Sequence, residues 1–218
     1  MSFPIIAFST YLKNLNQPKL IKITKTLLKK LYKTTSAKRR ARLVHQVVDS
    51  EMKDLFNDCA VKKFVRCGDG CAHCCYSHVA ITSDEADLLA HRVMEQGVEI
   101  NYTRLQLQQK AGDSIEAWNQ IPHSMRRCVL LDQSDSCMVY SDRPSTCRIN
   151  NVVSEPELCR LDQGERPISL LLTERADMAM IAHYIYSKQS KKLVTGTIPQ
   201  LLWQSLHQKS EQVSSPSL

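Results

Sequence analysis

Cys67-Gly-Asp-Gly-Cys71-Ala-His-Cys74-Cys75 is the stretch on which the reading of this chain turns. Thiolates two to four residues apart can wrap one metal ion, because a short turn lets the sulfurs face inward. Gly68 and Gly70 supply the backbone freedom that so tight a loop needs. Iron–sulfur clusters use the same ligand on the same kind of loop. Cys74 and Cys75 are adjacent, and neighbouring side chains diverge, so one mononuclear ion rarely takes both. The set therefore points to two ions, or to one cluster with spare thiols.

More cysteines follow outward from this block. Eight residues separate Cys128 from Cys137, and nine separate Cys137 from Cys147, which Arg148 follows. Cys159 comes after eleven more. Eight of the nine cysteines thus lie within 93 residues. The apolar run Phe3–Phe8 has no basic region before it and no small-residue cleavage site after it, so it makes a poor signal peptide. The expected location is cytoplasmic, with no transmembrane segment. Thiols stay reduced there, and metal ligation is read before disulfides. The expected ligands are Cys67, Cys71, Cys74, Cys75, Cys128, Cys137, Cys147 and Cys159, holding zinc or an iron–sulfur cluster. Closing the 52-residue gap between Cys75 and Cys128 would make metal binding part of folding. His73 and His78 lie beside the thiols but are not needed to complete a ligand set. Cys59 stands apart, beside Phe56, and reads as a small buried hydrophobe on a helix.

Arg143, Pro144 and Arg148 flank the third group of thiols. A tetrathiolate site is anionic, so guanidinium groups nearby would offset its charge and donate to sulfur. Pro144 would fix the turn, and Tyr140 would pack over the site.

Charge divides the chain. Its 218 residues carry a formal net charge of +7, yet residues 1–48 hold 11 Lys+Arg and no acid. The rest carries 18 basic and 22 acidic residues, a net of −4. The basicity belongs to an N-terminal segment. Pro18 can open a helix, and Leu20, Ile23, Leu27, Leu28 and Leu31 predict one over Lys19–Tyr32. A second is predicted from Ala37 to Asn57, with Leu43, Val47, Met52 and Phe56 as its apolar stripe. The arm reads as amphipathic helices whose leucines dock on the domain. Its polar face, with Lys29, Lys30, Lys33, Lys38, Arg39, Arg40 and Arg42, is also a candidate contact for nucleic acid or an anionic membrane surface.

Further along, Val79–Ile81 predicts a short strand. Thr82 and Glu85 form a capping box that opens a helix to Gln96, which Gly97 ends. Tyr102–Asn119 predicts one helix, weakened by Gly112. Met138–Tyr140 predicts a short strand. Ser169–Lys188 predicts a helix with Leu172, Met178, Ile181 and Ile185 inward, and Ile198–Gln208 a last one. The expected fold is mainly α: a small helical domain with short strands and turn-rich loops around a Cys-ligated metal site, plus N-terminal basic helices. The expected divisions are a basic arm at 1–60, a cysteine core at 61–165, and C-terminal helices with a tail at 166–218.

Three blocks in order resemble a known family: the Cys67–Cys75 cluster, the segment Val79-Ala-Ile-Thr82-Ser-Asp-Glu85-Ala-Asp-Leu88, and Cys137-Met-Val-Tyr-Ser-Asp-Arg-Pro-Ser-Thr-Cys147-Arg148. The chain is similar here to the zinc- or iron-chelating cysteine-cluster family (CxxCxxCC, YkgJ-like), over about residues 62–160. It departs from the family pattern in its first gap, which is three residues instead of two. It also has Ser136 where a Gly commonly precedes the cysteine. The resemblance implies zinc or iron–sulfur binding with a structural, metal-handling or redox role in a mainly bacterial family. A similar block occurs in a flagellin lysine methylase, so a cluster-dependent protein-modifying enzyme is the alternative. A nucleic-acid-binding module using the basic arm is a third reading. Cys67, Cys71 and Cys74 also match the radical SAM spacing, but no βα repeats follow. No phosphate-cradling loop, dinucleotide fingerprint or nucleophile elbow occurs.

Overall fold

A computed structural model describes residues 17–68, 70–159, 173–190 and 194–214, with side chains to residue 208. Helix α1, Gln17–Lys33, buries Leu20, Leu27 and Leu31 along one side and leaves its lysines outside. Helix α2, Ala37–Phe56, starts at Ser36, whose side chain accepts from the Arg39 amide. It buries Ala41, Val44, His45, Val48 and Met52. A third helix completes this core from far along the chain. It spans Glu174–Ser190 (α9, counting in chain order) and brings in Ala176, Ala179, Ala182 and Tyr186.

The faces of two helices differ from expectation. On α2 the buried stripe is Ala41, Val44, Val48 and Met52, while Leu43, Val47 and Phe56 are half-buried. On α9 the alanines turn inward instead of Met178, Ile181 and Ile185, and Ile181 is 44% exposed. Small residues let helices approach closely, and the same alanine face carries His183 to a buried acid. The expected start of α9 at Ser169, and Leu172, lie outside the described residues.

The second core surrounds a two-stranded antiparallel ribbon. Strand β1, Ala80–Thr82, pairs with β2, Thr195–Thr197, in the register Ala80↔Thr197, Ile81↔Gly196, Thr82↔Thr195. A side chain at 196 would press on the side chains of Gln200 and Leu201, so the close approach favours glycine. Helix α4, Ser83–Glu95, opens on a complete capping box. Thr82 Oγ1 accepts from the Glu85 amide, and Glu85 accepts from the Thr82 amide at 3.0 Å. Gly97, at φ 67°, follows its end. Leu89, Leu105, Leu130 and Leu202 are fully or almost fully buried here.

The single helix expected over Tyr102–Asn119 is two. Helix α5, Tyr102–Gln109, gives way to a turn in which Gly112 takes φ 56°. Ser114 then caps α6, Ile115–Gln120, by accepting from the Ala117 amide. The strand expected at Met138–Tyr140 is a lone bridge, Leu131↔Cys137, followed by a 3₁₀ turn over Tyr140–Asp142. The last helix, α10, spans Ile198–Ser214 and exceeds its expected length. Short helices α3 (Cys59–Phe64), α7 (His123–Arg126) and α8 (Ser145–Ile149) complete the described residues. The fold is mainly α. No helix among the described residues is long and apolar enough to cross a membrane.

Candidate metal centre

Four segments bring thiols together. The first is the 67–75 loop. Gly70 takes φ 79°, and the Cys71 amide donates to Gly68 O at 3.1 Å, which closes the turn. Cys67 is fixed by the 150–152 segment: the Val152 amide donates to its Sγ at 3.3 Å, and the Arg66 amide donates to Val152 O. Cys74 and Cys75 lie on a 3₁₀ turn, His73–Tyr76.

The second segment is Cys128–Cys137. The Cys128 amide donates to Cys75 O at 2.8 Å, which ties the two segments directly. Asp132 accepts from the amides of Ser134 and Ser136, and Asp135 takes φ 60°, so the chain reverses and returns Cys137 opposite Leu131. Arg127 braces this turn through Asp135 and the carbonyls of Leu131 and Asp132. The third segment is α8, which carries Cys147 behind Pro144. The fourth is a 3₁₀ turn, Pro156–Cys159, packed on the turn that holds Cys74 and Cys75.

These thiols are electrostatic neighbours. Burial raises Cys67, and so do the charges of Cys71 and Cys74. Burial pushes Cys159 up to about 11, with Cys74, Cys67 and Cys71 adding to the rise. Burial pushes Cys128 up to about 11 as well, with Cys137 and Cys74 adding to it. Cys147 is pushed far up by burial and by Cys128, Cys74 and Cys137. Cys74 and Cys75 share a hydrogen bond, which lowers Cys74 and raises Cys75. Cys74 is common to every one of these groups. Cys59, by contrast, is exposed at the start of α3, so the buried position expected for it is not observed. Its helix buries Val61 instead.

Arg143 is the cation facing the thiols. Its charge favours the thiolate at Cys67, Cys74 and Cys137. Its guanidinium stacks on Tyr140, 4.1 Å from the ring centroid, and its Nε is buried without a hydrogen-bond partner. An orphaned buried donor beside thiols suits an anionic sulfur site. Tyr140 is 57% exposed, so it carries Arg143 and does not roof the thiols. Pro144, at φ −57°, precedes α8 as a turn former. Among the described residues, no three His, Cys, Asp or Glu side chains form a closed coordination shell. The thiols are gathered but not closed. Neutral thiols have no electrostatic reason to converge, and ligation needs thiolates.

The residues match a known pattern. The family model CxxCxxCC, described as "Putative zinc- or iron-chelating domain", covers residues 66–167. Residues 66–167, just under half of the chain, are similar to that family. No curated protein and no solved structure matches the chain.

Arg148 does something other than expected beside the thiols. It is buried, and it faces helix α2. Its Nη1 donates to both oxygens of Asp49, its Nε to Arg143 O, and its Nη2 to Ser141 O and toward His45 Nδ1. It contributes to the thiols through its charge on Cys137. Arg148 is one member of an ionic seam between the matched segment and the helices before and after it. Arg40 grips Asp84 with two bonds, of 2.6 and 2.7 Å, and caps the Thr34 and Thr35 carbonyls. His183 reaches the same carboxylate at 3.0 Å. His45 Nε2 meets Glu85 Oε1 at 3.2 Å, with Arg148 on its other nitrogen. Asp142 takes Arg92 and Arg42.

Burial alone would raise the Glu85 carboxyl. The hydrogen bond from His45, the charges of His45 and His183, and the Ser145 amide outweigh it and hold the carboxyl at about 2. In the basic arm, Lys29, Lys30, Lys33 and Arg39 are exposed, and Lys38 contacts His91. Arg40 and Arg42 are engaged with the domain's own acids. Sequence reasoning missed the seam. Its one visible signal was the capping-box Glu85, which turns out to serve two purposes.

Proposed function

We propose that this chain is a metal-binding protein that holds zinc or an iron–sulfur cluster through Cys67, Cys71, Cys74, Cys75, Cys128, Cys137, Cys147 and Cys159. One observation carries this: Cys74 acts on Cys67, Cys75, Cys128, Cys147 and Cys159, thiols drawn from four separate segments, while Cys59 is left in solvent. The neighbour relations favour two groups. Cys71 and Cys74 act on both Cys67 and Cys159, while Cys128 and Cys147 act on Cys75, and Cys74 and Cys137 act on both Cys128 and Cys147. The two groups meet at Cys74–Cys75, which suits two metal positions better than one.

A bound metal would supply a crosslink among the four segments, and a cluster would add an electron carrier. The chain's own residues do the rest. Val152 N–H donates to Cys67 Sγ, and Arg143 offers its free Nε–H and its charge to the anionic sulfurs. The Arg127-braced turn holds Cys128 and Cys137 in place. The role supported is structural, metal-handling or redox.

The test is the metal and sulfide content and the visible spectrum of protein purified without oxygen. Iron with acid-labile sulfide and absorbance near about 400 nm means a cluster. A colourless protein with zinc means a thiolate zinc site. Folded protein with neither, still unable to take up either metal when reduced, would overturn the proposal.

A further inference from the structure

Helix α1 carries six lysines and no acid. Lys22, Lys25, Lys29 and Lys33 follow one another at steps of three, four and four residues, which sets them in one line along a helix. All four are exposed, and the exposed Lys30 flanks the line. The line runs for about 16 Å, at about 1.5 Å per residue.

The chain answers the other cations of this arm. Arg40 is paired with Asp84 and Arg42 with Asp142, and Lys38 contacts His91. Among the described residues, none of Lys22, Lys25, Lys29, Lys30 and Lys33 forms an ion pair. From residue 49 onward the chain carries 18 basic and 22 acidic residues. A stripe of one sign therefore stands on a molecule whose remainder is net negative, and its field turns this face toward a polyanion.

The opposite side of α1 selects the kind of polyanion. Leu20, Leu27 and Leu31 are buried, and Leu27 and Leu31 share a core with Ala176, Ala179 and Ala182 of α9. A helix that lies in a bilayer surface sinks its apolar face among the acyl chains, and here that face is already covered by protein. The large apolar side chains that α1 exposes are Ile21 and Tyr32, near its two ends. The Tyr32 hydroxyl donates to Gln189, and its ring meets Tyr186 edge-on, so it is held against α9 and not offered to a base. What the helix presents is a straight row of point charges, without the guanidinium forks that read base edges. Such a row matches a nucleic-acid duplex, whose phosphates place one negative charge per about 1.7 Å of its axis.

We propose that this face of α1 docks the phosphate backbone of a nucleic-acid duplex, without regard to base sequence. Each lysine set against a phosphate releases a counterion, and that release drives the contact. Helix α1 carries no thiol, so failure of this surface leaves the metal reading intact.

The test titrates the full chain into a labelled DNA duplex of about 20 base pairs, followed by fluorescence anisotropy. With four phosphates engaged, log affinity falls against log salt with a slope of about −3.6, or about a hundredfold between about 50 and about 200 mM. Lys29→Gln alone makes that slope shallower by about 1. Lys22→Gln, Lys25→Gln, Lys29→Gln and Lys33→Gln together, at exposed positions where Gln keeps the helix, weaken binding about a hundredfold at low salt. Lys53→Gln, Lys62→Gln, Lys63→Gln and Lys110→Gln remove the same charge from exposed positions elsewhere and weaken it less than about threefold. Vesicles of phosphatidylcholine and phosphatidylserine in equal parts bind more weakly than the duplex. No duplex binding at low salt, a flat salt dependence, equal losses in the two fourfold variants, or tighter binding to the vesicles would overturn the proposal.

Discussion

Two clusters of ionisable side chains meet at α8, which carries Cys147 and Arg148, and they are finished to different degrees. In the seam, each buried acid has its counter-group within the chain: Asp84 has Arg40 and His183, Glu85 has His45, and Asp142 has Arg92 and Arg42. The thiol side has eight sulfurs and the charges of Arg127, Arg143 and Arg148, and the Arg143 Nε is still unpaired. A buried ion pair is worth keeping only when every member is satisfied. The seam meets that condition from its own sequence. On the proposed function, the thiols meet it as thiolates only with a metal cation. The comparison then separates a joint made during folding from a site completed by metal.

The largest expected effect falls on the thiol side. Stripping metal from the reduced, loaded protein with a strong chelator should cost on the order of 10 kcal/mol of folding free energy. Hydrogen exchange would speed up across 67–75 and 128–159 while α1, α2 and α9 keep their protection. Equal protection with and without metal would erase the contrast between the two clusters.

Next is the seam itself. Asp84→Asn leaves Arg40 buried without a counter-charge, and about 3–5 kcal/mol is expected to be lost in denaturant unfolding. Metal content per folded chain should not change. If metal is lost along with stability, the seam and the thiols are one unit.

Glu85→Gln sharpens the contrast through pH. The Glu85 carboxyl sits at about 2 when folded against an ordinary 4.5. Its contribution is therefore complete above about pH 4.5 and is lost as pH falls toward 2. The wild-type chain should lose about 3 kcal/mol across that window on this account. Glu85→Gln should be less stable at neutral pH and flatter below pH 4.5, as thermal melts at stepped pH would show. An unchanged slope would remove Glu85 from the seam's energetics.

The smallest effect belongs to Cys59→Ser. An exposed thiol outside both clusters should change stability by less than about 0.5 kcal/mol. The metal-to-protein ratio should stay as it was. A drop in bound metal would place a ninth thiol in the centre.

The cysteine block was legible because ligand spacing is a local property, readable over nine residues. So was the Thr82–Glu85 cap, which obeys a three-residue rule. The arm's helices were legible for the same reason, through their leucine and lysine periodicity. The faces of α2 and α9 were not. Hydrophobic patterning ranks Met178 and Ile181 above Ala179 and Ala182, yet close helix contact favours the alanines. The Tyr102–Asn119 break depended on Gly112 taking a left-handed turn, where the pattern alone continued a helix. The seam was illegible because its partners, such as Arg148 and Asp49 or His183 and Asp84, lie about a hundred residues apart. Charge periodicity therefore showed Arg40 and Arg42 as an open face.

The β1–β2 pairing has a practical side. One strand lies inside the 66–167 match and its partner, Thr195–Thr197, lies outside it, as do Arg40, His45, Asp49 and His183. A fragment trimmed to the matched residues would carry Asp84 and Glu85 with no counter-groups and an edge with no second strand. The boundaries of the family and the boundaries of a self-sufficient folding unit are different lines on this chain. Anyone expressing it for metal analysis should cut outside α1 and α10.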